Sequence, residues 1–300
     1  MGDAPETTVA QFQEGSRKLA EWGTILVSLA GGEPLIRPDI VDIVRAVGEY
    51  HFPFLTTNGW FITRELADEL FAAGLWGVSI SIDYADPDRH DRKRGMPGAF
   101  ERALAGIEHF SRARRYKWQR VNWMCVLMED NLDQIEPMIR MAAERGAYFM
   151  VQPYSTEKTG NPRHRCALHD GGVSAYLLSL RRRYPNFLSN PYFLARFDKA
   201  LDGGVSGCKA GRRFFNIDST GNIAVCVEHR ERPVANLFAD SSARIARRLN
   251  ASLLPRACTA CWYNCRGEIE ALDHPWGLLK SLPTYLLDRG RAPALPAAGE

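Results

Sequence analysis

Three hundred residues, 45% of them hydrophobic and 24% charged, can bury a sizeable core in one large domain or two smaller ones. A net charge of +3 at this length gives no warrant for nucleic-acid or membrane partners, and no run reaches the roughly 18 apolar residues that span a bilayer. The opening residues 1–8 are polar and acidic, without the series of a signal peptide, so the expected location is cytoplasmic, where clustered thiols are better read as ligands than as disulfides.

In chain order, residues 8–22 have helical spacing and residues 24–30 read as a buried strand stopped by Gly31-Gly32. Residues 38–50 carry Ile40, Val41, Ile43, Val44 and Val47 at helix spacing. Residues 52–57 are strand-like and end at the turn signal Asn58-Gly59. A helix over 64–73 leads to a strand over 77–82 that ends at Asp83. Helices over 99–112 and 132–145 then alternate with strands over 121–128 and 147–153. Five strands with helices between them predict a parallel sheet or an incomplete β/α barrel. Ligand-binding residues of such folds gather at the carboxyl ends of the strands. Gly31, Gly32 and Glu33, Thr57 and Asn58, Ser81 and Asp83, and Gln152 with Tyr154 all occupy such ends and are expected to line one mouth.

The character then changes. Residues 156–169 read as a polar loop, and 173–184 as a helix whose Arg181-Arg182-Arg183 run forms a solvated face. Residues 214–218 and 222–226 flank Ser219-Thr220-Gly221 as a β-hairpin. A helix follows over 242–254, and the Pro- and Ala-rich residues 291–300 are expected to fray.

Five of the seven cysteines lie in the last hundred residues: Cys208, Cys226, Cys258, Cys261 and Cys265. The last three form a C-x2-C-x3-C cluster, and thiolates crowded in this way suit zinc or an iron–sulfur cluster. Four ligands must come from at least two segments, so a metal would staple a region expected to have little core of its own. Cys125 reads as a core thiol in its strand. Cys166 falls in the polar loop with no assigned role, and His90, His164 and His169 show no ligand spacing.

With these residues in place, the chain resembles the radical S-adenosylmethionine (SAM) enzymes that carry a C-terminal SPASM or twitch domain. Gly31-Gly32-Glu33-Pro34 after a strand is similar to the family's motif for the methionyl amino group of SAM. Thr56-Thr57-Asn58-Gly59 and Ser79-Ile80-Ser81-Ile82-Asp83 are similar to its next strand ends, and His90-Asp91, Arg94-Gly95, Gly98 and Phe100 fit the continuation. Cys208, Gly221 and Cys226 fit the first half of the SPASM pattern, and Cys258-x2-Cys261 opens the second. The series then stops at Cys265, which favours one auxiliary 4Fe-4S cluster, held by Cys208, Cys226 and two of the last three cysteines.

The resemblance implies a partial (β/α) TIM-like barrel missing its first strand (1–160), a linker and helix (161–202), a small cysteine-rich SPASM/twitch-like domain (203–272) and a C-terminal extension (273–300). It implies SAM at Gly31, Gly32, Glu33, Thr57, Asn58, Ser79, Ser81, Asp83 and Gln152. It implies a reductant such as flavodoxin or ferredoxin, and hydrogen abstraction from a peptide or small-molecule substrate by the radical that SAM yields. The physical reading of the turn agrees, because two glycines admit a ligand close to the backbone and a carboxylate beside them suits an ammonium group.

The family's C-x3-C-x2-C loop, which holds the SAM-binding cluster, has no counterpart: the first cysteine is Cys125. The intact polar strand ends favour an N-terminally shortened enzyme over a degenerate relative, and these residues alone are not expected to cleave SAM. The rival expectations are a non-catalytic iron–sulfur partner of a complete enzyme and a zinc-stapled α/β protein.

Overall fold

The computed structural model describes residues 6–155, 172–252, 258–273 and 275–282. Cys166, His164, His169 and the tail over 291–300 lie outside the described residues.

Thr8 opens the fold by capping α1 (Val9–Glu21). Its hydroxyl accepts the Gln11 N–H while the Gln11 side chain accepts the Thr8 N–H, so two otherwise unpaired donors are satisfied together. Strands and helices then alternate: β1 (Leu26–Leu29), α2 (Ile40–Gly48), β2 (Phe52–Thr57), α3 (Arg64–Ala72) and β3 (Gly77–Ser81). They continue with α4 (Pro87–Arg94), α5 (Ala99–Ala113), β4 (Arg120–Leu127), α6 (Ile135–Glu144) and β5 (Tyr148–Pro153). The five strands pair in parallel in the order β1-β2-β3-β4-β5. Each crossover carries a helix, as parallel neighbours require, and the result is a partial (β/α) TIM-like barrel.

Register and alternation give the sheet two unlike faces. Leu55, Val78, Val121 and, one row on, Ile80, Trp123 and Phe149 are buried with the apolar faces of α3, α5 and α6 in the main core. The opposite face carries the row Thr56, Ser79, Asn122 and Tyr148, followed by Ser81, Met124 and Met150. A parallel sheet buried on both sides usually reads as continuous apolar sequence. The polar alternation here therefore marks an inner face that the crossover helices do not cover.

Two expectations need correction. The strand over 24–30 is not buried: it is the shorter β1, with Ile25 70% and Leu26 44% exposed. The reason is its position at the sheet edge, paired with β2 alone among the described residues. The cysteine-rich half also does have a core. After α7 (Val173–Arg183), α8 (Pro191–Leu194) and α9 (Phe197–Leu201), strands β6 (Asn216–Ile217), β7 (Asn222–Ala224) and β8 (Ala235–Asn236) form an antiparallel sheet, followed by α10 (Ser242–Ala251). Ile223, Val225, Ala235, Leu237, Ile245 and Leu249 pack there around Leu19 of α1.

The first helix thus completes the second core. Gly15 makes the approach possible, since a Cβ there would sit 2.7 Å from Leu237. Lys18 Nζ donates to Leu237 O at 3.0 Å, and Thr7 N donates to Ser219 O at 2.8 Å. The expected hairpin is present, its turn held by Asp218, which accepts from the backbone N–H of Thr220 and Asn222, and by Gly221 at φ +83°. Two further helices close the described chain, α11 (Asn264–Asp273) and α12 (Pro275–Leu282). Among the described residues no helix is long and apolar enough to cross a membrane.

Candidate functional site

Glu33 is fixed by donors from two strand ends. Its Oε1 accepts from Thr57 Oγ1 at 2.8 Å and Leu35 N at 3.0 Å, and its Oε2 accepts from Asn58 N at 2.7 Å. Thr57 Oγ1 in turn accepts the Gly59 N–H, and Asn58 Oδ1 the Trp60 N–H. The carboxylate is therefore preorganised, and of its roughly four lone-pair positions three are used, which leaves acceptor capacity for a cation. Gly31 and Gly32 are exposed, have no positive φ, and an added Cβ would meet nothing within 4 Å. Neither backbone strain nor protein packing explains why both are glycine. Close approach by a ligand does.

The other expected site residues divide. Ser81 and Gln152 are partly exposed on the inner face, Ser81 ending β3 and Gln152 next to last in β5. Ser79 lies deeper, 1% exposed, with its hydroxyl accepting from Asn122 Nδ2 at 3.4 Å. Asp83 is turned into the protein. Its Oδ2 receives Arg94 at 2.8 Å and its Oδ1 the Val126 N–H at 3.0 Å, so its charge ties α4 to β4. The structure brings Glu33, Thr57 and Asn58 into one hydrogen-bonded unit, and places Asp83 in a separate one with Arg94 and His90.

His90 is 1% exposed, and its Nδ1 accepts the Asp83 N–H at 3.2 Å. That bond needs the neutral ring protonated on Nε2. Burial, and then the nearby Arg94 charge, lower its pKa from 6.5 to about 4, against the opposing pull of Asp83 and Asp91. Below pH 6.5 the unfolded chain therefore binds a proton that the folded chain refuses until about pH 4. Between these values stability is expected to fall by about 3 kcal/mol. Urea unfolding across that range measures it. A His90→Asn variant should flatten the slope, and an unchanged slope would remove His90 as its cause.

Sequence reasoning missed several inner-face residues. Asn122, Met124 and Tyr148 sit mid-strand, where only register reveals their direction. Asn264 reaches them from the tail, with Nδ2 3.3 Å from Met124 Sδ, and Ser155 Oγ donates to Ala260 O at 3.3 Å. The cysteine-bearing segment therefore lies against the inner face. The Oδ1 atoms of Asn122 and Asn264 are buried there without a hydrogen-bond partner, and such orphaned acceptors are costly unless a donor arrives.

The five tail thiols come from three places. Cys208 precedes β6, Cys226 follows β7, and Cys258, Cys261 and Cys265 run into α11. Burial raises the pKa values of Cys208 and Cys226; Glu270 and then Cys258 add to the rise at Cys208, and Cys208 and Cys258 at Cys226. Burial pushes Cys261 up to about 12, with Cys208 and Cys258 adding to the rise. Direct contacts bring the remote segments together: Arg266 bonds Val205 O, Ser206 O and Cys261 O, and Tyr263 Oη donates to Glu228 Oε1 at 2.8 Å beside Cys226. Among the described residues no three such side chains close on a point that one metal ion could occupy. Cys125, by contrast, is fully buried in the main core, as expected of a packing thiol.

Arg266 organises the thiol region. Fully buried, it donates from NH1 to Cys261 O at 2.9 Å and from NH2 to Val205 O and Ser206 O, while Nε pairs with Glu270 at 2.9 Å. It therefore bridges the segment before Cys208 to the segment holding Cys258 and Cys261.

Comparison with known proteins agrees with this geometry. Residues 1–142 match the Radical SAM superfamily model. The AdoMet-dependent heme synthase of Methanosarcina barkeri is 39% identical over 154 residues, which are 49% of this chain and 43% of that protein. The PqqA peptide cyclase of Xanthomonas axonopodis pv. citri is 26% identical over 297 residues, covering 89% of this chain and 77% of the relative. Among solved structures, SuiB of Streptococcus suis bound to precursor peptide SuiA has a similar fold, with a TM-score of 0.64 at 16% identity over 91% of this chain and 68% of that one.

Proposed function

We propose that the whole protein, whose residues 1–142 match the radical SAM superfamily model, modifies a peptide by SAM-dependent radical chemistry, with one auxiliary 4Fe-4S cluster on its tail thiols. The observation that carries this reading is that the segments bearing Cys208, Cys226 and the 258–265 thiols are bonded to one another beside the inner face of the barrel. The names of the PqqA peptide cyclase and of the SuiB–SuiA complex support the peptide class. In this reading residues 1–160 form the SAM-binding unit and 203–272 the cluster unit, with 161–202 between them and 273–300 as an extension.

The donor set fits the group. A cubane takes thiolates at its corners, further apart than the four sulfurs at about 2.3 Å round a single zinc. The raised pKa values of Cys208, Cys226 and Cys261 mean that these thiols are neutral when free and release protons on loading. When bound, SAM and reduced iron–sulfur centres supply one-electron hydrogen abstraction.

The chain's own residues do the rest. Glu33, held by Thr57 and Asn58, receives the ammonium group of SAM, and Gly31-Gly32 admit it. Ser81 and Gln152 bind polar groups at the mouth, and Ser79 fixes Asn122 below them. Asp83 positions Arg94 and β4. Arg266 holds two thiol segments in register.

Anaerobic reconstitution with iron and sulfide tests the reading. About four irons and four sulfides per chain are expected, and zinc bound without sulfide, or a compact iron-free protein, overturns it. With SAM and dithionite, these 300 residues are expected to form no 5′-deoxyadenosine, because the family's C-x3-C-x2-C loop is not among them.

A further inference from the structure

The loop from α5 to β4 reads Arg114-Arg115-Tyr116-Lys117-Trp118-Gln119-Arg120. Among the described residues none of its four cations forms an ion pair, and the nearby carboxylates Glu108 and Glu144 serve Arg112 and Arg145 instead. Tyr116 and Trp118 are 56% and 44% exposed and stack with centroids 5.2 Å apart and planes 6° from parallel. The loop is held in this form. Gln119 is 1% exposed, its amide oxygen accepts from Arg115 N at 2.7 Å and Tyr116 N at 3.2 Å, and its amide nitrogen donates to Leu75 O at 3.4 Å.

At the two ends of this loop, two guanidinium groups are incompletely satisfied. The NH1 atoms of Arg114 and Arg120 are both buried without an acceptor. Arg114 NH2 donates to Gly146 O at 2.8 Å, and Arg120 lies 4.8 Å over the Tyr148 ring. Burial lowers the Arg114 pKa, and the Arg120 charge lowers it further. Buried charged donors without partners are costly, and an anion between them removes both the unmet bonds and the repulsion. Gly77 makes room, because a Cβ there would stand 2.9 Å from both the Arg120 Cβ and the Phe54 ring. The strip continues along Trp76 to Phe52, which is 50% exposed. All of this lies at the amino-terminal end of the sheet, opposite the end that carries Glu33.

We propose that this strip docks an acidic stretch of the peptide partner, with carboxylates on Arg114 and Arg120 and apolar atoms against Tyr116 and Trp118. It rests on the reading of the protein as peptide-modifying. Charge complementarity selects the occupant, because four cations without ion pairs among the described residues flank the exposed aromatic pair. A phosphate backbone would want an exposed rail of cations and a larger positive balance than +3.

Fluorescence anisotropy of the reconstituted protein with fluorescein-labelled hexaglutamate tests it. Binding should weaken as salt rises, hexalysine should not bind, and the variants Arg115→Gln/Lys117→Gln and Arg114→Gln/Arg120→Gln should each lose about tenfold or more in affinity. The first pair is exposed, so its result does not depend on the fold. Variants that bind as the wild type does, or an oligothymidylate that binds more tightly than hexaglutamate, overturn the proposal. Iron content reads the cluster separately. Four irons without hexaglutamate binding removes the strip alone, whereas binding by iron-free protein removes the cluster alone.

Discussion

Replacing Arg266 with Met is expected to destabilise the folded chain by about 3–5 kcal/mol. The substitution leaves Glu270 charged, buried and alone, and orphans the carbonyls of Val205, Ser206 and Cys261 that the guanidinium now serves. The stack of Arg266 on Trp262, 5.2 Å to the ring centroid, is lost as well. Urea unfolding measures the effect. The double variant Arg266→Met/Glu270→Leu should recover much of the loss, because a removed pair costs less than a broken one. A loss below about 1 kcal/mol in the single variant would show that the buried pair does not brace the thiol segments.

Serine in place of Cys208 or Cys226 is expected to bring reconstituted iron from about four per chain to below about one. Each of these supplies the only thiol from its segment, and the serine hydroxyl is a harder, far less acidic ligand than the thiol it replaces. Of Cys258, Cys261 and Cys265, two should behave in the same way and one should tolerate the change, since five thiols serve four positions. Iron and sulfide analysis of the five single variants decides it. Full loading of the Cys208→Ser variant would remove the assignment.

The barrel was legible because its strands alternate so cleanly. In β3, Val78 and Ile80 face helices while Ser79 and Ser81 face inward, and the Gly-Gly-Glu and Thr-Asn ends announced themselves by residue type. Two of the helices that escaped notice bury polar groups. In α4 only His90 is buried, so no apolar period exists, although Asp86 capping Arg89 N and Gly95 at φ +65° bracket it. In α11 the buried face is built from Arg266, Gly267, Glu270 and Ala271, of which only the last reads as core. The sequence also could not show that Asp83 is spent on Arg94, or that Asn264 reaches Met124 across 140 positions. Such pairings are decided by tertiary packing, which periodicity does not encode.

The placement of α1 sets an order on biosynthesis. Thr7 and Lys18 bond partners 212 and 219 positions downstream, so the ribosome must add more than two hundred amino acids before this helix can seat. Until then Leu19 has no counterpart to cover it, and the nascent polypeptide carries an apolar stripe exposed to chaperones or to premature association. Maturation of the tail is therefore also the step that retires this early hazard.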